Sequence, residues 1–212
     1  MPAHANFDGD VAAIRACLTR LVEEEEKEVV LVTHSYSGLP GGEAPRGLGL
    51  KERKEKGLKG GVKRLVFAMA FIAPEGFCPL SGGVEFPTWI NVDATQGTAT
   101  VSPADAKDIF YHDLPAAEAE TWASKLVPQS IGVFTSTTTY AAWQHISSTF
   151  VLASLDRSAM SKEAVHAMIK AAQAVEPSAC DVVEEVEAGH CFMVSKAEWF
   201  AGVLGKAAGE GL

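Results

Sequence analysis

The sequence predicts an α/β fold: a mostly parallel sheet flanked by helices, with an inserted helical lobe. Three observations carry that prediction. First, the runs 29–32, 65–71 and 149–153 are β-branched or apolar without polar alternation, the composition of strands buried on both faces. Second, helical periodicity accompanies them, with Val11, Ile14, Leu18, Leu21 and Val22 recurring every three or four residues across 10–26, and Val165, Met168, Ile169 and Ala172 across 162–175. Third, strand–helix–strand alternation with buried strands is the pattern of a doubly wound sheet, and one interval, 82–145, breaks it.

Taken in order, 10–26 is an amphipathic helix whose start Asp8 or Asp10 can cap, and the glutamates at 23–26 form its solvated end. The run 29–32 is the first strand. The mixed-charge stretch 51–63 reads as a solvated loop or helix end, because acids interleave the bases. The strand 65–71 stops at Pro74. The interval 82–145, rich in Pro, Trp and Phe, carries short helical patterns at 103–111 and 115–126, and is read as a helical lobe inserted between two strands of one domain spanning 1–212. After the strand at 149–153 come the helix 162–175 and a weaker alternating strand at 181–186, ending before Gly189.

Composition bounds the function. A chain of 212 residues with 47% hydrophobic and 21% charged residues buries one core, and disorder is not its default. A net charge of −9 speaks against nucleic-acid binding, which needs clustered Lys and Arg. The four cysteines, Cys17, Cys78, Cys180 and Cys191, are scattered and read as reduced thiols. No apolar run approaches the ~20 residues of a membrane span, and residues 1–10 lack the apolar core of a signal peptide, so the expectation is a cytoplasmic protein with no membrane partner. No His/Cys/Asp cluster has metal-ligand spacing and no glycine pattern fits a dinucleotide or a P-loop, so neither metal nor cofactor is expected.

The chemistry concentrates at Ser35. A buried strand running into the small-residue turn Thr33-His34-Ser35-Tyr36-Ser37-Gly38 is the setting of a nucleophile elbow, which holds a Ser Oγ out at the C-terminal edge of a sheet. Thr33 and Ser37 stand where such turns usually carry glycine; Ser37 is small enough to fit, its side chain either crowding the turn or merely decorating it, while Thr33 is bulkier. Asp156 follows the third strand and His190 the fourth, the order nucleophile–acid–base along the chain. Asp156 also reads as a cap for a helix starting near Ser158, and Glu75 is the alternative acid. His34 reads as a packing or hydrogen-bonding residue, and Cys191, with no evident base, as a small buried hydrophobe.

These segments, together with 109–114, 128–130, 139–156 and 188–190, resemble the AB-hydrolase-1-type α/β-hydrolases, esterase-like proteins of fungi and bacteria. The resemblance covers nearly the whole chain. It implies a serine hydrolase cleaving an ester or lactone of a small apolar molecule, with Ser35 as nucleophile, Asp156 as acid, His190 as base and the Tyr36 N–H as an oxyanion-hole donor. It also makes the lobe a cap, with Trp89, Phe110, Tyr111, Phe134, Tyr140 and Trp143 as candidate pocket aromatics, of which two or three are expected to touch a ligand. The family elbow usually reads H-S-Y-G-G, and Ser37 replaces the first glycine. Relatives usually carry ~45 residues ahead of this chain's start, holding the first strands and the loop of the second oxyanion donor. The chain is therefore expected to be N-terminally short, with an open sheet edge suited to pairing with a second copy. A non-catalytic relative that binds a small molecule, or acts as a scaffold, remains the alternative.

Overall fold

The computed structural model of the protein describes residues 3–81, 85–158 and 160–210. Its elements in order are α1 (Asp8–Thr19), β1 (Glu28–His34), α2 (Gly38–Glu43), α3 (Leu50–Glu55), β2 (Gly61–Ala68), β3 (Ile90–Asp93), β4 (Thr98–Val101), α4 (Pro103–Ile109), α5 (Ala116–Ala123), β5 (Gln129–Ser130), β6 (Ser148–Ala153), α6 (Lys162–Val175), β7 (Val182–Val186), α7 (Phe192–Ser195) and α8 (Ala197–Ala208). The main sheet runs β1-β2-β6-β7, every pair parallel. Its two inner strands are the apolar runs without alternation: Val66, Phe67, Phe150 and Val151 are buried on both faces. Each such side chain contributes roughly 1.5–3 kcal/mol on leaving water. The outer strands alternate more, and β1, paired on one side to β2, leaves Val32 39% exposed.

Four sequence expectations change in detail. The first helix ends at Thr19, and Arg20–Glu24 continue as a wider π-turn. Neither Asp8 nor Asp10 caps it; Asp10 instead accepts a 2.6 Å hydrogen bond from the Tyr36 hydroxyl. The strand expected at 65–71 starts earlier and ends at Ala68, with Met69 at a positive φ of 41°. The stretch 51–63 is not simply solvated: Arg53 is buried, its guanidinium donating to the carbonyls of Lys59 and Gly60 and pairing with Glu23.

The segment between β2 and β6 is not purely helical. Besides α4 and α5 it holds an antiparallel sheet, β3-β4-β5. The expected starting point of the insertion, Gly82, lies outside the described residues. The segment has a small apolar core of Ala106, Tyr111, Ala119 and Ala123, separate from the core around the main sheet. Among the described residues no helix is long and apolar enough to cross a membrane.

Candidate active site

Ser35 stands directly after β1, at φ 55°, a left-handed backbone that non-glycine residues adopt at a cost of about 1–2 kcal/mol. Its surroundings hold it there. The Ser35 N–H donates to Met69 O (3.2 Å), and the Phe71 N–H donates to Ser35 O (3.3 Å), so the ends of β1 and β2 lock the turn between them. Ser37 does not crowd it. Its Oγ accepts from the His34 N–H (2.7 Å) and donates to His34 O (2.8 Å), closing the turn with a side chain where glycine would leave a gap.

The missing glycines are compensated across space. A Cβ on Gly38 would fall 2.3 Å from Phe71 O, so this glycine lets α2 approach the chain after β2. A Cβ on Gly41 would fall 2.4 Å from Thr33 Cγ2, so the bulk of Thr33 is taken up by the absence of a side chain one helical turn into α2. From the other side α1 braces the turn: Asp10 holds the Tyr36 hydroxyl, and Arg15 donates to the carbonyls of Ala44 and Arg46. The Tyr36 amide lies in the first turn of the short helix Ser35–Ser37, where a helix offers its N–H groups no internal acceptor.

Asp156 and His190 meet after β6 and β7. Nδ1 of His190 lies 2.7 Å from Asp156 Oδ2, and the two side chains are 5% and 3% exposed, so water does not compete for this bond. Oδ1 of Asp156 accepts from the Ser158 N–H (2.6 Å). The residue thus makes its local turn and holds the histidine as well, while the helix cap falls to Ser161. Burial alone would raise the Asp156 carboxyl, but the bonds from His190 and Ser158 and the charge of His190 hold it below the ordinary carboxylate range. Glu75 is exposed in the Pro74–Phe77 turn, outside this cluster.

His34 packs against the pair. Its Nε2 is 3.1 Å from His190 O, and the two rings are 4.5 Å apart. Burial and the neighbouring His190 push His34 down to about 4, so it is neutral at pH 7 and donates Nε2–H to that carbonyl. Burial pushes the Cys191 thiol up to about 12, which removes it as a nucleophile beside His190.

Ser35 and His190 face one cavity of about 600 Å³. Among the described residues no hydrogen bond joins Ser35 Oγ to His190. Of the expected pocket aromatics, Trp89, Phe110 and Phe134 line this cavity. Tyr111, Tyr140 and Trp143 do not. Tyr111 is buried in the lobe's small core; Tyr140 stacks on His145 beneath Arg46; Trp143 sits in the main core, its Nε1–H donating to Ala73 O (2.8 Å). Large aromatics fill cores as readily as pockets, and sequence alone does not separate the two. Phe71 and Phe86 also line the cavity and were not singled out from the sequence as pocket residues. Phe71 follows an elbow partner strand, and that placement is the signal that could have found it.

Residues 2–203 match the family described as the alpha/beta hydrolase family. The chain belongs to that family. Alpha/beta hydrolase nvfD of Aspergillus novofumigatus is 28% identical over 214 residues, covering all of this chain and 82% of that one. Solved structures share the fold of this alpha/beta hydrolase at low identity. The methylesterase MES16 from Arabidopsis has a TM-score of 0.65 at 16% identity, over 96% of this chain and 78% of its own. Tomato methylketone synthase I, complexed with 2-tridecanone, has a TM-score of 0.69 at 19% identity, over 97% and 80%.

Proposed function

We propose that this alpha/beta hydrolase cleaves a carboxylic ester or lactone of a small, largely apolar molecule, with Ser35 as nucleophile, His190 as general base and Asp156 as its orienting acid. The observation that carries the reading is the buried Asp156–His190 bond opening onto the cavity that Ser35 also lines. A carboxylate on Nδ1 fixes the proton there and leaves the Nε2 lone pair free to take the Ser35 proton. Ser35 Oγ then attacks the ester carbonyl, and the negative charge that develops on the carbonyl oxygen is met by the Tyr36 N–H. His190 returns its proton to the leaving alcohol, and water, activated by the same histidine, releases the acid. The cavity favours an apolar substrate, since Phe71, Phe86, Trp89, Phe110 and Phe134 contribute to its wall.

The MES16 and methylketone synthase likenesses support the fold on which this chemistry stands; the substrate class rests on the cavity wall. Turnover of a p-nitrophenyl ester series by the purified protein tests the reading. Hydrolysis that Ser35→Ala abolishes supports it. No turnover of any ester overturns it in favour of a binding protein, and turnover that survives Ser35→Ala overturns the assignment of Ser35 as nucleophile.

A further inference from the structure

The lobe between β2 and β6 touches the base as well as the cavity. Asp113, in the connection between α4 and α5, accepts two hydrogen bonds on Oδ2: one from the Gly189 N–H (2.8 Å) and one from the Ser195 hydroxyl (2.6 Å). One residue along, His190 is the base of the proposed reaction. On its other side the Cys191 N–H donates to Phe110 O (3.4 Å), and the Phe110 ring packs 5.4 Å from the His190 ring. The backbone on both sides of His190 is therefore held by one short lobe segment, while the main-sheet side contributes His34 to its carbonyl and Asp156 to its ring.

The grip is tight. A Cβ on Gly189 would fall 2.8 Å from Asp113 Oδ1 and 2.9 Å from His112 Cε1, so a side chain there would push both residues out of place. Among the described residues Asp113 Oδ1 and His112 Nδ1 are both buried without a hydrogen-bonding partner, an uncompensated cost in this segment. We propose that Asp113 is a positioning residue for His190, so that the reactivity of the base depends on the docking of the lobe. This rests on the function proposed above.

The test uses the full chain with Asp113→Ala, Asp113→Asn, Gly189→Ala and the double variant Asp113→Ala/Gly189→Ala. Readouts are kcat and KM on a short p-nitrophenyl ester, the rate of Ser35 labelling by a fluorophosphonate, and the melting temperature. A misplacement of the base by about 1 Å costs on the order of 100-fold, so Asp113→Ala is expected to lower kcat and the labelling rate about 10- to 100-fold with KM within about threefold. Asn keeps a carbonyl for Gly189 and Ser195, so Asp113→Asn restores most of that loss. Gly189→Ala lowers kcat in the Asp113 background and less in the Asp113→Ala background, where the nearest atom to the new methyl is gone. If Asp113→Ala does not fold, the Asn and Gly189 variants still decide. Near-wild-type kcat in Asp113→Ala, or in Gly189→Ala, overturns the inference while leaving the role of Ser35 intact. A loss in Asp113→Asn equal to that in Asp113→Ala also overturns it. Absence of Ser35 labelling in the wild type strikes the proposed function instead.

Discussion

Replacing Asp156 by Asn keeps the side chain's shape and sets a conflict that the structure makes explicit. One carboxylate oxygen accepts from the Ser158 N–H at 2.6 Å and the other faces His190 Nδ1 at 2.7 Å, both out of water. An amide has a single carbonyl. If that oxygen stays on Ser158, the NH₂ group faces Nδ1, and His190 must carry its proton on Nε2, the position that has to accept from Ser35. If the amide flips, NH₂ meets the Ser158 N–H donor to donor. Either arrangement removes the working tautomer or strains the turn. In serine proteases the equivalent change costs about 10⁴ in kcat, so a loss of about 10³–10⁴-fold is expected here, or roughly 4–5.5 kcal/mol of transition-state stabilisation. The assay is kcat/KM on a p-nitrophenyl ester, with the melting temperature as the folding control. The carboxyl is held low in the folded state, so its stabilisation is present above the unfolded pKa and is lost as pH falls through the folded value; Asp156→Asn should lose less stability on acidification than the wild type. A folded Asp156→Asn enzyme within tenfold of wild-type activity would refute the reasoning.

Further consequences concern the elbow and the sheet. Gly41→Ala should destabilise the protein by about 1–3 kcal/mol, measured by urea unfolding, because its methyl meets Thr33 Cγ2; in a Thr33→Ala background the penalty should vanish, the nearest remaining atom then lying 3.6 Å away. An equal penalty in both backgrounds would contradict the compensation. His34 is held at about 4 against an ordinary 6.5, so the unfolded chain binds the extra proton between these values and stability falls as pH drops through that window. The His34 share is at most about 3.5 kcal/mol, and His34→Gln should flatten the stability profile there; parallel profiles for the two proteins would show otherwise. We also propose that β1, which among the described residues pairs only with β2, joins a second copy edge to edge: light scattering should find a dimer that Val32→Lys weakens, and a monomer at all concentrations would dismiss the idea.

The parallel sheet was legible because β2 and β6 are buried on both faces and so lack polar alternation, and helix 162–175 because its apolar stripe is unbroken. The antiparallel sheet of the lobe was not: β3 and β4 are four residues each, too short for a period to show, and β3 is largely exposed. The closing helix α8 was missed too, although Phe200, Val203 and Ala207 mark its buried face at spacings of three and four. At the site, Ser35, Asp156 and His190 could be picked out because chain order and strand ends place them. The contacts that let the turn do without its usual glycines could not. Thr33 with Gly41, and Gly38 with Phe71, join residues distant along the chain, and only the folded backbone brings them together. The same holds for Asp113, whose hydrogen bond to Gly189 spans 76 positions.

The claim on which the rest depends is that Ser35 is a nucleophile activated by His190. A fluorophosphonate probe followed by peptide mapping tests it most directly. The account predicts a single stoichiometric adduct on Ser35, lost in Ser35→Ala and slowed strongly in His190→Ala. An unlabelled wild-type protein, or an adduct on another residue, would contradict it.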